Sequence, residues 1–202
     1  MTETRHTLLI IISGCSGVGK DAIIVRMKAL GAPFFYAVTA TSRPQRFGEI
    51  DGVDYHFIDK ARFQEMIGNG EFLEWANVYG NLYGVPRKTV EQAMAEGKDA
   101  IIKVDIQGAA TIKRIEPDAV SIFIAPPSME ELQRRLIERK TETGVDLELR
   151  LHTAREEMEN ISSFDHVVIS HSNEIDRAIK DIESVIAKEK NRIRSQISTN
   201  SK

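Results

Sequence analysis

The stretch Leu8-Leu9-Ile10-Ile11-Ile12-Ser13-Gly14-Cys15-Ser16-Gly17-Val18-Gly19-Lys20-Asp21 decides how the rest of the 202-residue chain is read. Its first five residues are continuously apolar rather than alternating, as in a strand buried on both faces of a parallel sheet. Residues 14–20 fit the phosphate-loop spacing G-x-x-x-x-G-K, with Asp21 standing where the motif normally ends in Ser or Thr. Helical spacing follows through Ile23, Ile24, Met27 and Leu30. Strand, glycine loop and helix in that order are the context a phosphate loop requires. Glycines let successive backbone N–H groups turn inward toward phosphate oxygens, the helix N-terminus adds its positive dipole, and Lys20 neutralises β/γ oxygens. Nucleotide phosphate binding is therefore expected at Gly14, Cys15, Ser16, Gly17, Val18, Gly19, Lys20 and Asp21. The Asp21 carboxylate is a hard oxygen ligand that can take Mg²⁺ directly, and Asp is equally favoured as a cap at a helix N-terminus. The single cysteine, Cys15, lies where backbone does the work, though an electropositive loop can make a thiol reactive.

The same alternation recurs downstream. Residues 100–104 read as a strand ending at Asp105 and leading into a helix over 107–115; 120–125 read as a strand stopped by Pro126-Pro127. Ser128 then serves as N-cap with Glu131 three residues on, a capping-box pattern. Residues 166–169 form a fourth strand candidate before a helical pattern over 174–193. Short buried strands alternating with helices predict an α/β three-layer fold around a parallel sheet. Two segments break the rhythm. Residues 34–89 are aromatic- and turn-rich and look like a small antiparallel insertion; residues 138–156 are charged and helical and read as a mobile surface piece. The tail from Lys188 is polar and basic and is expected to fray.

Composition narrows the partners. Lys+Arg number 27 against 30 Asp+Glu, a net charge of −3, which gives no bulk reason to bind nucleic acid or anionic lipid. Apolar residues at 42% and charged ones at 28% suit a soluble globular protein. One cysteine forbids an intrachain disulfide and any multi-cysteine zinc site, and no apolar run approaches the ~18 residues of a membrane span. The apolar run near the N-terminus is too short for a signal peptide. A reduced, cytoplasmic, soluble domain is the expectation. The five histidines (His6, His56, His152, His166 and His171) show no metal spacing.

Several further motifs, in order, resemble those of the guanylate kinases over nearly the whole chain. They are Thr41-Ser42-Arg43-Pro44-Gln45-Arg46-Phe47-Gly48-Glu49, Asp51-Gly52-Val53-Asp54-Tyr55-His56-Phe57, Glu71-Phe72-Leu73-Glu74-Trp75-Ala76, Gly80-Asn81-Leu82-Tyr83-Gly84, Val104-Asp105-Ile106-Gln107-Gly108 and Ile124-Ala125-Pro126-Pro127-Ser128. The resemblance implies a domain over about 6–188, with a P-loop nucleotide-binding core (1–38, 90–137 and 157–202), a mixed α+β GMP-binding insertion (39–89) and a helical lid (138–156). It implies transfer of the ATP γ-phosphoryl to GMP with Mg²⁺, or, in the alternative, a catalytically weakened binding module of the same fold.

Carried over by motif position, Arg43 and Arg46 would hold the GMP phosphate, where guanidinium forks suit phosphate geometry. Tyr55 and Tyr83 would donate hydroxyl hydrogen bonds to it. Glu74 would accept from guanine N1 and N2, donors that adenine lacks in that place. Thr39 would sit near guanine O6, and Asp105 near Mg²⁺ or the ribose. Lys20, Arg43 and the lid residues Arg139 and Arg150 would form the catalytic set. On their own chemistry the arginines could be solvated, the tyrosines core aromatics, Glu74 solvent-facing, and Asp105 only a helix cap. The chain departs from the family at Asp21, at Val85 where a guanine-contacting Ser/Thr is usual, and at Lys103 where many members carry the first Asp of an Asp-x-Asp pair. It departs again at Ser170-His171-Ser172, where an adenine-side Asn-Asp-Asp is usual.

Overall fold

A computed structural model describes residues 7–78, 80–138 and 144–200. Along the chain these form β1 (Leu9–Gly14), α1 (Lys20–Ala29), β2 (Phe35–Tyr36), β3 (Ala40–Thr41), β4 (His56–Phe57), α2 (Lys60–Gly68), β5 (Phe72–Val78), β6 (Asn81–Pro86), α3 (Arg87–Ala95), β7 (Ala100–Lys103), α4 (Ile106–Ile115), β8 (Val120–Ala125), α5 (Met129–Glu138), α6 (Gly144–Glu159), β9 (His166–Ile169) and α7 (Ile175–Asn200). A five-stranded sheet has the order β2-β7-β1-β8-β9, and a four-stranded sheet the order β4-β3-β6-β5. All six positions of β1 and of β8 are buried, which is why both read as continuous apolar runs. The chain falls into two compact units, one from residues up to 11 and 33–119, the other from 12–32 and 120 onward.

In the first unit β2 runs parallel to β7, with Phe35 opposite Ala100 and Tyr36 opposite Ile101. β3 pairs antiparallel with β6, and β6 with β5. The pairing of β3 with β4 is parallel, because the long connection over residues 42–55 brings the chain back to the same end before β4 begins. The small sheet is therefore mixed rather than antiparallel throughout. Its core is Ala40, Phe63, Phe72 and Leu82, backed by Ile58, Met66 and Ile67; the Phe63 and Phe72 rings stack at 4.5 Å. Strand-like aromatic alternation hides α2 from a reading of residues 34–89. Its signal is Asp59, whose carboxylate accepts from Arg62 N–H at 2.7 Å as an N-cap, followed by Phe63, Met66 and Ile67 at helical spacing.

In the second unit β8 and β9 run parallel, from Ile122 opposite His166 to Ala125 opposite Ile169. Ser128 caps α5 as expected, its Oγ accepting from Glu131 N–H at 3.2 Å. The Glu131 carboxylate, which a capping box would send back to Ser128, is held instead by Ser172, Arg134 and Arg135. Helix α7 continues to Asn200 rather than fraying from Lys188. Glu189 anchors it: this buried carboxylate lies 3.0 Å from His166 Nε2 on β9 and accepts from Arg192 Nε at 2.6 Å.

Candidate active site

In the second unit the chain leaves β1 through residues 14–20. Gly14 has φ 140°, and a Cβ there would stand 2.1 Å from the Ile124 carbonyl oxygen on β8, so only glycine fits. Gly19, in the left-handed region at φ 103°, is the N-cap of α1. Lys20 Nζ donates to the Gly14 and Cys15 carbonyls, the latter at 3.0 Å, which holds its ammonium over the loop. Ser16 N–H donates to Glu157 Oε2 of α6 at 2.9 Å. Cys15 is buried, with Sγ 3.7 Å from the Ala154 carbonyl. Burial, and then the Glu157 charge, push its thiol up to about 12, so the thiolate needed for reactivity does not form near neutral pH. Asp21 lies exposed in the first turn of α1, where a negative charge suits the helix dipole.

Beside this loop is a cavity of about 320 Å³, lined by Gly17, Val18, Gly19, Ile23, Arg135 and Ser172 among others. Arg135 organises its wall. Its guanidinium donates to the Val18 carbonyl at 3.2 Å, the Ser170 carbonyl at 2.6 Å and Ser172 Oγ at 3.1 Å. Hydrogen bonding from Ser172, then from Arg134, holds the Glu131 carboxyl down at about 2, so it stays ionised. Neither Arg135 nor Glu157 stands out in the sequence, where each is one charged residue among many on a helix. Arg150 lies half-buried on α6, and Arg139 falls outside the described residues.

In the first unit a separate cluster of side chains comes together. Arg43 is half-buried after β3, and its guanidinium donates to both Glu49 oxygens, at 2.8 and 3.0 Å, and to the Pro44 carbonyl at 2.7 Å. Glu49 also accepts from Arg46 N–H at 2.8 Å, which closes the loop that presents the exposed Arg46. The Tyr55 and Tyr83 rings meet edge to face at 6.0 Å, and the Arg43 guanidinium carbon lies 5.5 Å from the Tyr55 ring. Lys103, at the end of β7, donates to Tyr55 Oη at 3.0 Å. Guanidinium, phenol and ammonium groups from four separate stretches of chain thus converge.

Glu74 on β5 is 6% exposed, so it does not face solvent. A Cβ on Gly108 would lie 2.8–2.9 Å from its carboxylate carbon and oxygens; glycine in the first turn of α4 is what leaves room for the acid. Glu74 Oε2 is buried and accepts no hydrogen bond. Desolvation, with repulsion from Asp105 second, raises this carboxyl to about 8. Thr39 is buried just before β3. Val85, fully buried, pairs across the ladder with Glu74 and supplies no hydroxyl there. Asp105 is the N-cap of α4, its Oδ1 accepting from Gly108 N–H at 2.7 Å. Among the described residues no group of three His, Cys, Asp or Glu side chains could by itself hold a metal ion, and no helix is long and apolar enough to cross a membrane.

The guanylate kinase family profile matches residues 6–189. The guanylate kinase of Carboxydothermus hydrogenoformans is 42% identical over 183 residues, 91% of this chain and 89% of that protein. The guanylate kinase of Clostridioides difficile is 40% identical over 189 residues, 94% of this chain and 91% of that one. Among solved structures, guanylate kinase from Anaplasma phagocytophilum superposes with a TM-score of 0.75 at 31% identity, covering 93% of this chain and 88% of the other.

Proposed function

The chain belongs to the guanylate kinase family and is an ATP:GMP phosphotransferase, and from that premise we propose which of its residues hold each nucleotide. The donor ATP lies on the loop of residues 14–20, its phosphates on backbone N–H groups, the α1 N-terminus and Lys20. Its adenine takes the cavity walled by Arg135 and Ser172. The acceptor GMP lies in the first unit, its phosphate on Arg43, Arg46, Tyr55 and Tyr83, its base on Glu74 with Thr39 beside it. The observation that carries this reading is the buried, unsatisfied Glu74 oxygen over Gly108. A carboxylate stripped of water and partners is costly, and guanine offers N1–H and N2–H to satisfy it. Adenine brings no donor in that place, so it gives the ionised form of the acid nothing to pair with. An intact loop with Lys20 gives the alternative of a non-catalytic binding module no support.

Phosphoryl transfer asks the protein mainly for in-line positioning and for positive charge around the moving group. Lys20 serves the donor side and Arg43 the acceptor side, Glu49 fixing the Arg43 fork until a phosphate arrives. Arg139 and Arg150 are proposed to close over the nucleotides from the lid, which keeps water from taking the phosphoryl group. A Mg²⁺ that arrives on ATP needs only one or two protein oxygens, and the exposed Asp21 carboxylate at the head of α1 suits that limited role. Bound there, the ion would neutralise donor phosphate charge. Asp105, committed to capping α4, keeps one oxygen for the ion or the ribose. We place the reaction in the cytoplasm, where a lone buried thiol stays reduced.

A coupled ADP-release assay across GMP, AMP, CMP and UMP with MgATP tests the proposal. Turnover dominated by GMP in the wild type, with that preference lost in Glu74→Gln, is the expected result. An unchanged GMP/AMP preference in the variant overturns the assignment of Glu74.

A further inference from the structure

Tyr55 lies against two cations. The Arg43 guanidinium carbon is 5.5 Å from its ring centroid and the Lys103 ammonium nitrogen 4.6 Å. The two differ in what they do. Arg43 is already committed to Glu49 through two oxygens, whereas Lys103 donates to the Tyr55 hydroxyl oxygen itself at 3.0 Å. An ammonium has donors and no acceptor, so this bond has one polarity: the lysine gives and the phenol oxygen receives. The phenol's own proton must then point elsewhere. An ionised donor on its oxygen also makes that proton a better one to give. Lys103 is half-buried at the end of β7.

We infer that Lys103 is a positioning residue of the acceptor subsite, one that holds the Tyr55 hydroxyl as a donor to the nucleoside monophosphate's phosphate. The role rests on the assignment of Tyr55 to the acceptor phosphate. It also gives the lysine, a departure from the family pattern, a use in binding.

Steady-state kinetics on Lys103→Met, Lys103→Arg, Tyr55→Phe and the Met/Phe double variant, varying GMP and ATP separately, test it. Lys103→Met should raise KM for GMP about 10- to 30-fold, with kcat and KM for ATP within about threefold, the loss expected for one charge-assisted hydrogen bond. Lys103→Arg should restore KM for GMP to within about threefold of wild type, since it keeps a donor and a charge. In the Tyr55→Phe background, Lys103→Met should cost no more than about threefold further, because its partner oxygen is gone. The same factor in both backgrounds would show that the lysine does not act through the phenol, and the inference falls. It falls as well if Lys103→Met leaves KM for GMP unchanged while Tyr55→Phe raises it, the acceptor assignment then standing. If Tyr55→Phe itself leaves KM for GMP unchanged, that assignment fails and takes the inference with it. The unchanged KM for ATP reports that each variant is folded.

Discussion

The loop of residues 14–20 and the side-chain cluster around Arg43, the proposed donor and acceptor sites for phosphate, are built on opposite plans. On that proposal residues 14–20 work through backbone: glycines at conformations or approaches closed to other residues, a helix N-terminus, and one side chain, Lys20. The proposed acceptor cluster would instead work through side chains from four separate stretches, Arg43 and Arg46, Tyr55, Tyr83 and Lys103, with Glu74 for the base. A backbone site is confined to consecutive residues, because only a contiguous turn can aim successive N–H groups at one anion. A side-chain site can draw on any part of a sheet, and it gains the selectivity that guanidinium, phenol and carboxylate groups provide.

Substitutions test this difference. Lys20→Met should have the largest effect, a loss of kcat of about 10³-fold or more with the fold intact, since it removes fixed charge from the transferring group; stopped assays of ADP release read it directly. Gly14→Ala should fail structurally, because its Cβ meets the backbone oxygen of Ile124, which cannot swing aside as a side chain can. A destabilisation of about 3 kcal/mol or more is expected in denaturant titration. A stable, active Gly14→Ala enzyme would remove the claim that backbone geometry alone explains the loop. Glu74→Gln should lower kcat/KM for GMP by about 10²-fold and leave KM for ATP within about twofold, the asymmetry that a side-chain site of the acceptor alone requires.

Glu74 also titrates close to neutrality, whereas the Cys15 thiol of the loop is pushed up to about 12. Its carboxyl sits at about 8 against an ordinary 4.5, so the nucleotide-free protein holds a proton there at neutral pH. Guanine's N–H donors need the ionised form, so GMP binding near pH 7 should release close to one proton. Calorimetry in two buffers of different ionisation enthalpy measures this, and Glu74→Gln should abolish it. The same shift makes stability fall as pH rises from about 4.5 to about 8, because the native state keeps a proton that the unfolded chain has lost; above that the contribution is constant. The smallest effect belongs to Ser16→Ala, expected within about threefold in KM for ATP because its N–H, not its hydroxyl, makes the contact with Glu157. A tenfold cost would mean that the loop too relies on side chains.

Most of the fold is legible in local patterns. The apolar runs of β1, β7, β8 and β9 lie within a residue or two of where their spacing puts them, and Ser128 caps α5 as its position promises. Residues 34–89 are harder to read, because their aromatics serve the core of a mixed sheet and its flanking helix together, and α2 shares residue types with the strands around it. The end of α7 is obscure for a related reason: Glu189 looks like one more solvated charge until His166, 23 positions earlier, is placed against it.

What the sequence by itself determined was the phosphate loop, the strand–helix alternation and the family, because each is written in neighbouring residues or in ordered motifs. Only tertiary structure decided the states of the side chains: that Glu74 is desolvated over Gly108, that Cys15 is too buried to react, and that Lys103 reaches Tyr55. Burial and charge pairing depend on what packs alongside, and residues far apart in the chain supply those neighbours.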